Sequence, residues 1–270
     1  MPALLQIDNI SKSFGGVVAA RNIAFDVRER EIVSLIGPNG AGKTTLFNMI
    51  TGFLRPTEGK VLFEGRDITG VKPQYVARLG IVRTFQITNV FPGLTVRENL
   101  EAAQYLRLGG PFWQTLVGHP AARAKRAQAR KDATVLLDLV GLGSVADETA
   151  RNLAYGKLRL LEIAIGLAAA PRMLLLDEPA AGLNSEESLR LVELLRQLCR
   201  DQGITLLLVE HDMDVVMSVS DRVVVMNFGQ KIAEGPPEEV KQDPHVIEAY
   251  LGVSLDDHFD AAGDWRASHA

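Results

Sequence analysis

The chain has 270 residues, enough for one large domain or for a core with a subdomain. Its 47% hydrophobic and 23% charged residues are typical of a globular protein, and its net charge of −4 disfavours a general nucleic-acid binder. The single cysteine, Cys199, excludes an internal disulfide, the first residues do not predict a signal peptide, and no apolar run has the length of a membrane span.

Short strand-like runs alternate with turns over residues 4–36. Residues 23–27 alternate between apolar and polar, which is typical of an antiparallel strand with one face in water. Phe14 directly precedes two glycines and is predicted to lie in a turn. Two roles remain open for Phe14: packing beneath the turn, or stacking against an adenine ring.

The strongest motif follows a predicted buried strand at residues 31–36 and precedes a predicted helix at residues 44–50. It fits G-x-x-x-x-G-K-[ST], in which glycines turn backbone N–H groups toward phosphate oxygens and a helix N-terminus adds partial positive charge. The side chain of Lys43 is predicted to reach the β- and γ-phosphates, and the hydroxyl of Thr44 to bind Mg²⁺. The alternative is a glycine turn with a surface lysine. The predicted ATP-binding residues are Gly37, Pro38, Asn39, Gly40, Ala41, Gly42, Lys43, Thr44 and Thr45.

The middle of the chain is predicted to be mainly helical. Residues 81–86 are predicted to form a strand ending at Gln86, and Thr95 with Glu98 predicts the capped start of a helix over residues 96–106. A second helix is predicted over residues 121–140, and its N-terminal part contains five basic residues: Arg123, Lys125, Arg126, Arg130 and Lys131. Such a run most often marks a solvated face, although lipid headgroups or an acidic partner are alternatives.

The last hundred residues alternate between strand and helix. Strands are predicted at residues 173–176, 204–209 and 222–226, with a helix over residues 185–201, and this alternation predicts a parallel α/β sheet. Residues from Gly252 onward are predicted to be a disordered tail.

Polar side chains follow two of these strands, at the sheet edge where ligands of open α/β sheets bind. Asp177 and Glu178 come directly after one strand, and His211 follows another. If the strands are neighbours, Asp177 holds Mg²⁺ through water and Glu178 orients the attacking water as general base. His211 then contacts the γ-phosphate or positions Glu178. The alternatives are a surface turn with two acids and a surface histidine.

This ordered set of motifs resembles the ATP-binding subunits of ABC transporters over about residues 4–252. The amino-acid sequences of residues 83–86, 152–156 and 178–184 are most similar to those of the LivG type, the ATPase subunits of bacterial branched-chain amino acid importers. The resemblance implies an α/β P-loop NTPase of the ABC type, with a mostly parallel core sheet, an antiparallel β subdomain and an inserted α-helical subdomain. It also implies a division into residues 1–86 and 158–252 as the two parts of the ATP-binding core, 87–157 as the helical subdomain and 253–270 as a tail.

The resemblance also implies roles for single residues. Phe14 stacks on adenine, Gln86 senses Mg²⁺ and the γ-phosphate, and His211 is the switch histidine beside the catalytic Lys43 and Glu178. The implied metal ligands are Thr44, Gln86 and Asp177. A signature segment closes over ATP bound by another ABC subunit, and it comprises Leu153, Ala154, Tyr155, Gly156 and Lys157.

Four residues depart from the family's common motifs: Ala154, Tyr155, Lys157 and Asn184. The signature reads L-S-G-G-Q in the family, so Ala154 removes a serine hydroxyl that would contact the γ-phosphate, and Lys157 stands in place of glutamine. Asn184 replaces the aspartate that is common in the D-loop. The strength of the site that this signature completes is therefore open.

The resemblance implies Mg-ATP hydrolysis as the energy-coupling step of a bacterial importer for branched-chain or related amino acids, peripheral to the cytoplasmic face of the inner membrane. The implied partners are a second ABC ATPase, either a different chain or a second copy, the transmembrane permease subunits and, indirectly, a periplasmic or lipid-anchored binding protein. No nucleic acid is expected.

Other functions remain as alternatives. One is an export ATPase for lipid or lipopolysaccharide, and another is a mechanical ATPase of repair or translation. The mechanical role is disfavoured because about 70 residues without sustained heptads separate Gln86 from Gly156, and because the chain has one phosphate-binding motif. A scaffold that binds nucleotide without hydrolysis is disfavoured by Lys43, Asp177, Glu178 and His211.

Overall fold

The computed structural model of the protein describes residues 3–84, 90–108 and 120–251. Gln86 and the predicted tail 253–270 lie outside these ranges. The described strands are β1 (Ala3–Phe14), β2 (Val17–Arg28), β3 (Ile32–Ile36), β4 (Glu58–Phe63), β5 (Arg66–Asp67), β6 (Ile81–Arg83), β7 (Met173–Asp177), β8 (Thr205–Val209), β9 (Arg222–Asn227) and β10 (Gln230–Gly235). The described α-helices are α1 (Lys43–Ile50), α2 (Pro73–Arg78), α3 (Val96–Leu108), α4 (Pro120–Leu139), α5 (Tyr155–Ala168), α6 (Ser185–Arg200), α7 (Met213–Val219), α8 (Pro237–Val240) and α9 (Pro244–Leu251).

The chain forms two compact units, of which the first comprises residues 3–71 and 209–251. It contains an antiparallel sheet in the order β2-β1-β4-β5. Ile23, Phe25 and Val27 are buried on one face of β2, which confirms the predicted alternation. The strand β1 is longer than the short strand-like runs that the sequence predicts here, because its register shifts between Ile7 and Ile10 and pairing then continues to Phe14.

The first unit also contains the strands β10-β9-β3, in which β3 is parallel to β9 and β9 is antiparallel to β10. A hydrophobic cluster joins these strands to the helices α7, α8 and α9. Its buried members are Ile36, Val216, Val223, Val225, Val240 and Val246. Because Ile36 is the last residue of β3, the C-terminal helix α9 packs, through Val246, against the strand that leads into the glycine motif.

The second unit comprises residues 72–208 and contains the strands β8-β7-β6. The strand β6 is parallel to β7, with Ile81 opposite Met173 and Arg83 opposite Leu175. Every residue of β7 and β8 is buried, as the continuous apolar runs predicted. A capping box begins α3, since the N–H of Thr95 donates to Glu98 and the N–H of Glu98 donates to the hydroxyl of Thr95, which confirms that prediction.

These two units are compact bodies, whereas the predicted boundaries at residues 86, 157 and 252 divide the chain by function. That functional division stays a prediction. Cys199 is buried in α6, as expected of a core residue. Across the described ranges, no helix is both long and apolar enough to cross a membrane.

Candidate functional site

The glycine motif joins β3 to α1 through a loop that only glycine can form at two positions. Gly37 has φ +147°, and a Cβ at this position would overlap the carbonyl oxygen of Met226. Gly42 has φ +100°, and its Cβ would lie 2.6 Å from the carbonyl oxygen of Ala19. The backbone of the loop therefore runs against two neighbouring strands without room for side chains.

The start of α1 is suited to an anion. Gly42 is its N-cap and supplies no side-chain hydrogen bond, and the first turn contains no acidic residue. The N–H groups of a first helical turn have no partners within the helix, so they can bind phosphate oxygens. The ammonium of Lys43 donates to the carbonyl oxygens of Gly37 at 2.6 Å and Pro38 at 3.0 Å, which holds its charge within the loop. These residues fit the phosphates of ATP.

A cavity of about 810 Å³ lies on one flank of this loop. It is lined by residues 38–41 of the loop, by the β9–β10 turn at Asn227 and Phe228, and by His245 and Glu248 of α9. The hydroxyl of Tyr250, also on α9, hydrogen-bonds with the backbone of Gly37. No sequence pattern connects Tyr250 with the loop, because 212 residues lie between Gly37 and Tyr250 in the chain.

Phe14 ends β1 beside the Gly15–Gly16 turn, and its ring is 49% exposed. This exposure leaves about half of the residue accessible to a ligand. The ammonium of Lys12 lies 5.1 Å from the ring centroid, a distance typical of a cation–π contact. Its predicted role in stacking against adenine is compatible with this exposure and stays a prediction.

Asp177 ends β7 and forms a buried ion pair that sequence reasoning missed. Nη2 of Arg83 donates to Oδ2 of Asp177 at 2.7 Å, and the two side chains are 6% and 3% exposed. The other carboxylate oxygen, Oδ1, is buried and has no hydrogen-bond partner among the described residues. Buried polar atoms rarely lack a partner, so Oδ1 is suited to a cation or to a water bound by it.

No cluster of three or more metal-ligating side chains occurs within the described ranges. Mg²⁺ in nucleotide enzymes takes one or two carboxylates and fills its other positions with waters and phosphates. Thr44 is exposed at the start of α1, so its hydroxyl can reach a phosphate-bound cation. Gln86, the third predicted ligand, lies outside the described residues.

Glu178 follows Asp177 with a positive φ of 50°, which is uncommon for a residue other than glycine. Such a conformation costs of order 1–3 kcal/mol and is found most often at functional sites. His211 lies beyond the end of β8 with its side chain exposed. Its backbone N–H donates to Oε2 of Glu210 at 3.0 Å, and Asp212 caps α7, so the segment is fixed on both sides of the histidine.

The predicted signature forms the start of α5 and packs against the predicted D-loop. Ala154 is the N-cap, and Leu153 is buried whereas Ala154 and Lys157 are exposed. The ring of Tyr155 lies so close to Gly182 that a Cβ there would be 2.9 Å from Cε1. The guanidinium of Arg159 lies 5.1 Å from the centroid of the same ring.

A capping box begins α6 at Asn184, one of the positions that depart from the family. The side chain of Asn184 accepts from the N–H of Glu187 at 3.0 Å, and the carboxylate of Glu187 accepts from the N–H of Asn184 at 3.0 Å. Asn is as good an N-cap as Asp, so this substitution preserves the start of the helix. The carboxylate of Glu187 also contacts Gly156, which sequence reasoning did not predict.

Comparison with known proteins identifies the family. The family model described as "ABC transporter" matches residues 20–181, and the model described as "Branched-chain amino acid ATP-binding cassette transporter" matches residues 230–256. A relative from Salmonella typhimurium, the high-affinity branched-chain amino acid transport ATP-binding protein LivG, is 47% identical over 249 residues, which cover 92% of this chain and 98% of the relative.

Solved structures share the fold. The crystal structure of the ADP conformation of MJ1267, an ATP-binding cassette of an ABC transporter, has a TM-score of 0.82 and 35% identity, and the match covers 94% of this chain and 100% of that chain. A dimeric post-hydrolysis structure of the cassette MJ0796, bound to ADP and Pi, has a TM-score of 0.72 and 26% identity over 86% of this chain and 98% of that chain.

These matches confirm the predicted fold class and the predicted activity, which is ATP hydrolysis coupled to transport. The roles predicted for single residues are a separate matter, and they stay predictions. The chain belongs to the ABC transporter family, as one of its ATP-binding cassettes.

Proposed function

We propose that this chain is the energy-coupling ATPase subunit of a bacterial importer for branched-chain or related amino acids. The observation that carries this proposal is the 47% identity to LivG along 98% of the length of that relative. The match of residues 230–256 to the branched-chain amino acid family model supports it independently, because it covers β10, α8 and α9 rather than the ATPase motifs.

In this function the glycine loop and Lys43 bind and orient the phosphates of ATP. The loop geometry, the uncapped start of α1 and the two hydrogen bonds of the Lys43 ammonium support this role. Thr44, Gln86 and Asp177 hold Mg²⁺, which when bound neutralises charge on the phosphates. The buried, unpartnered Oδ1 of Asp177 supports its part in that set.

The proton chemistry is assigned to the residues after β7 and β8. Glu178 orients the attacking water and accepts its proton as general base, while His211 hydrogen-bonds the terminal phosphate. Glu178 comes directly after Asp177 at the carboxyl end of β7, next to the proposed metal ligand, which supports this role. Phe14 stacks on the adenine, which its exposed ring allows.

The working unit that we propose is a dimer of ATPase subunits. Residues 153–157 close over ATP held by the partner, which is a different ATPase chain in preference to a second copy. The dimeric cassette among the similar structures supports the pairing. The pair would lie at the cytoplasmic face of the inner membrane, bound to permease subunits that receive amino acids from a periplasmic or lipid-anchored binding protein. We retain 1–86 and 158–252 as the core and 87–157 as the helical subdomain.

Reconstitution tests the cargo. The chain is co-purified from membranes with its permease and second ATPase, placed in proteoliposomes, and assayed for ATP hydrolysis with candidate binding proteins. We expect stimulation by a binding protein loaded with leucine, isoleucine or valine, and none by the same protein without amino acid. A complex with Glu178→Gln serves as the control for contaminating ATPases. Failure of every amino acid-loaded binding protein to stimulate, or stimulation by lipid instead, would contradict the importer assignment.

A further inference from the structure

The ion pair between Arg83 and Asp177 is set by the register of two parallel strands. Arg83 is the last residue of β6 and lies opposite Leu175 of β7, and the N–H of Thr84 donates to the carbonyl oxygen of Leu175 at 2.9 Å. Side chains two residues apart in a strand point to the same face. Asp177 is therefore the diagonal neighbour of Arg83, within reach of its long side chain.

Burial makes this pair different from a surface ion pair. The side chains of Arg83 and Asp177 are only 6% and 3% exposed, so water screens their interaction little. The guanidinium of Arg83 donates a hydrogen bond to Oδ2 of Asp177 at 2.7 Å. The other oxygen, Oδ1, is buried without a hydrogen-bond partner in the described part of the chain.

We propose that Arg83 is a positioning residue for the metal-ligand carboxylate: by binding Oδ2 of Asp177 it fixes the side chain so that Oδ1 is the oxygen presented to Mg²⁺ or to a water bound by it. This inference rests on the proposed role of Asp177 at the Mg-ATP site. Arg83 itself contacts neither nucleotide nor metal in this assignment. It acts as hydrogen-bonded partners of metal ligands generally do, by fixing the orientation of the ligand.

The test measures metal binding rather than turnover alone. The purified full chain is titrated with Mn²⁺ in the presence of a non-hydrolysable ATP analogue, and bound Mn²⁺ is followed by electron paramagnetic resonance. Nucleotide affinity is measured in parallel without metal. Since loss of a ligand's hydrogen-bonded partner weakens metal affinity about 10–100-fold, we expect Arg83→Met to raise the half-saturating Mn²⁺ concentration by about that factor. Its metal-free nucleotide affinity should be unchanged.

Three further variants make the result specific. Arg83→Lys keeps the charge but loses the planar fork, so it should weaken Mn²⁺ binding by a smaller factor. In an Asp177→Asn background, Arg83→Met should have no additional effect on Mn²⁺ binding. Arg97→Met is the matched control, because Arg97 is also a largely buried, ion-paired arginine of the second unit, with its carboxylate partner Asp147 at 3.1 Å. It should bind Mn²⁺ like the wild type.

The outcomes separate this inference from the function on which it rests. If wild type shows no metal-dependent nucleotide binding, the proposed Mg-ATP role of Asp177 fails. If wild type binds Mn²⁺ and a folded Arg83→Met, checked by circular dichroism, binds it equally well or more tightly, the positioning role is overturned. Should Arg83→Met not fold, Arg83→Lys decides in the same way, since unchanged Mn²⁺ affinity in that variant also overturns the role.

Discussion

The carboxylate of Glu187 occupies the space that a side chain at Gly156 would need. A Cβ built on Gly156 would overlap Oε1 of Glu187 and lie 2.6 Å from its Cδ. Glu187 is also half of the capping box with Asn184 at the start of α6. The carboxylate of Glu187 therefore caps α6 and also limits how closely α5, which carries the signature, approaches α6. The starts of the two helices are thus positioned by the same side chain.

This contact predicts a change of sign in a double-mutant cycle. In the wild-type background, Gly156→Ala should destabilise the protein by about 1 kcal/mol, because the methyl group displaces Glu187 from the cap. In a Glu187→Ala background the same change should stabilise by up to about 1 kcal/mol, because Ala is the better helix former and nothing obstructs it. Urea unfolding measures both. Equal effects in the two backgrounds would show that Glu187 does not constrain Gly156.

Two glycines of the phosphate loop should differ in their tolerance of a side chain. Gly37→Ala combines a φ of +147° with overlap of a backbone oxygen, so we expect a loss of about 2–5 kcal/mol and of nucleotide binding. Gly40→Ala meets no described atom within 4 Å, and its φ of +82° should cost only about 1–2 kcal/mol. Unfolding curves and binding of a fluorescent ATP analogue compare the two. A Gly40→Ala as damaging as Gly37→Ala would contradict the steric explanation.

The strained backbone of Glu178 allows stability and catalysis to be separated. Glu178→Gly should be more stable than Glu178→Ala by about 1–2 kcal/mol, because only glycine adopts a φ of 50° without cost. Both should lower turnover by about 10²–10⁴-fold, since both lack the general base. Glu178→Gln should also trap an ATP-bound dimer, detected by size-exclusion chromatography with ATP. Wild-type turnover in Glu178→Gln would remove Glu178 from the role of base.

Tyr250 should give the protein a measurable pH dependence in alkaline solution. Tyr250 is 42% exposed, and the partial burial of its side chain raises its pKa above the ordinary value of 10.0, whereas the hydrogen bond with the backbone of Gly37 opposes this rise. With the folded-state pKa above that of the unfolded chain, the contribution of Tyr250 is complete below about pH 10 and is lost as the pH rises through the folded-state value.

Tyr250→Phe tests this. The free energy of unfolding of wild type should fall more steeply above about pH 10 than that of the variant, in urea unfolding at each pH. At neutral pH the variant should lose up to about 1 kcal/mol with the hydrogen bond. Parallel curves above pH 10 would show that Tyr250 titrates as an ordinary tyrosine.

If Lys157 compensates for the serine that Ala154 replaces, it should lower the stability of the protein while it strengthens ATP binding by the assembled transporter. A cation in the first turn of α5 opposes the helix dipole, so Lys157→Gln should stabilise by about 0.3–1 kcal/mol. In the assembled transporter the same variant should weaken ATP binding at the site that this signature completes. The Michaelis constant for ATP and the turnover measure this, and values equal to wild type would refute compensation.

Much of the fold can be predicted from local sequence patterns such as apolar runs and capping residues. The contacts that could not be predicted depend on strand register or on the path of a distant segment. The apolar runs that became β7 and β8 predict buried strands with polar residues at their ends, and the capping box of α3 is visible as Thr95 and Glu98. The strand β10 mixes polar and apolar residues and therefore shows no continuous apolar run. Asn9, a residue type that is common in turns, lies within β1, so the sequence does not indicate that β1 is one continuous strand. The pair of Arg83 with Asp177 requires the strand register, and the bond of Tyr250 to Gly37 requires the path of α9.

The first unit consists of two separate stretches of the chain, and this affects the order in which its parts can fold during synthesis. Residues 3–71 carry the phosphate loop, but the strand parallel to β3 and the helix that packs behind it come after residue 209. A ribosome synthesises about 5–20 residues per second, so the loop emerges roughly 9–40 s before β9 and α9 can complete the layer beneath it. The second unit, continuous in sequence, can fold during that interval. We therefore expect the loop to hold nucleotide only after β9 and α9 have been synthesised and have packed with β3.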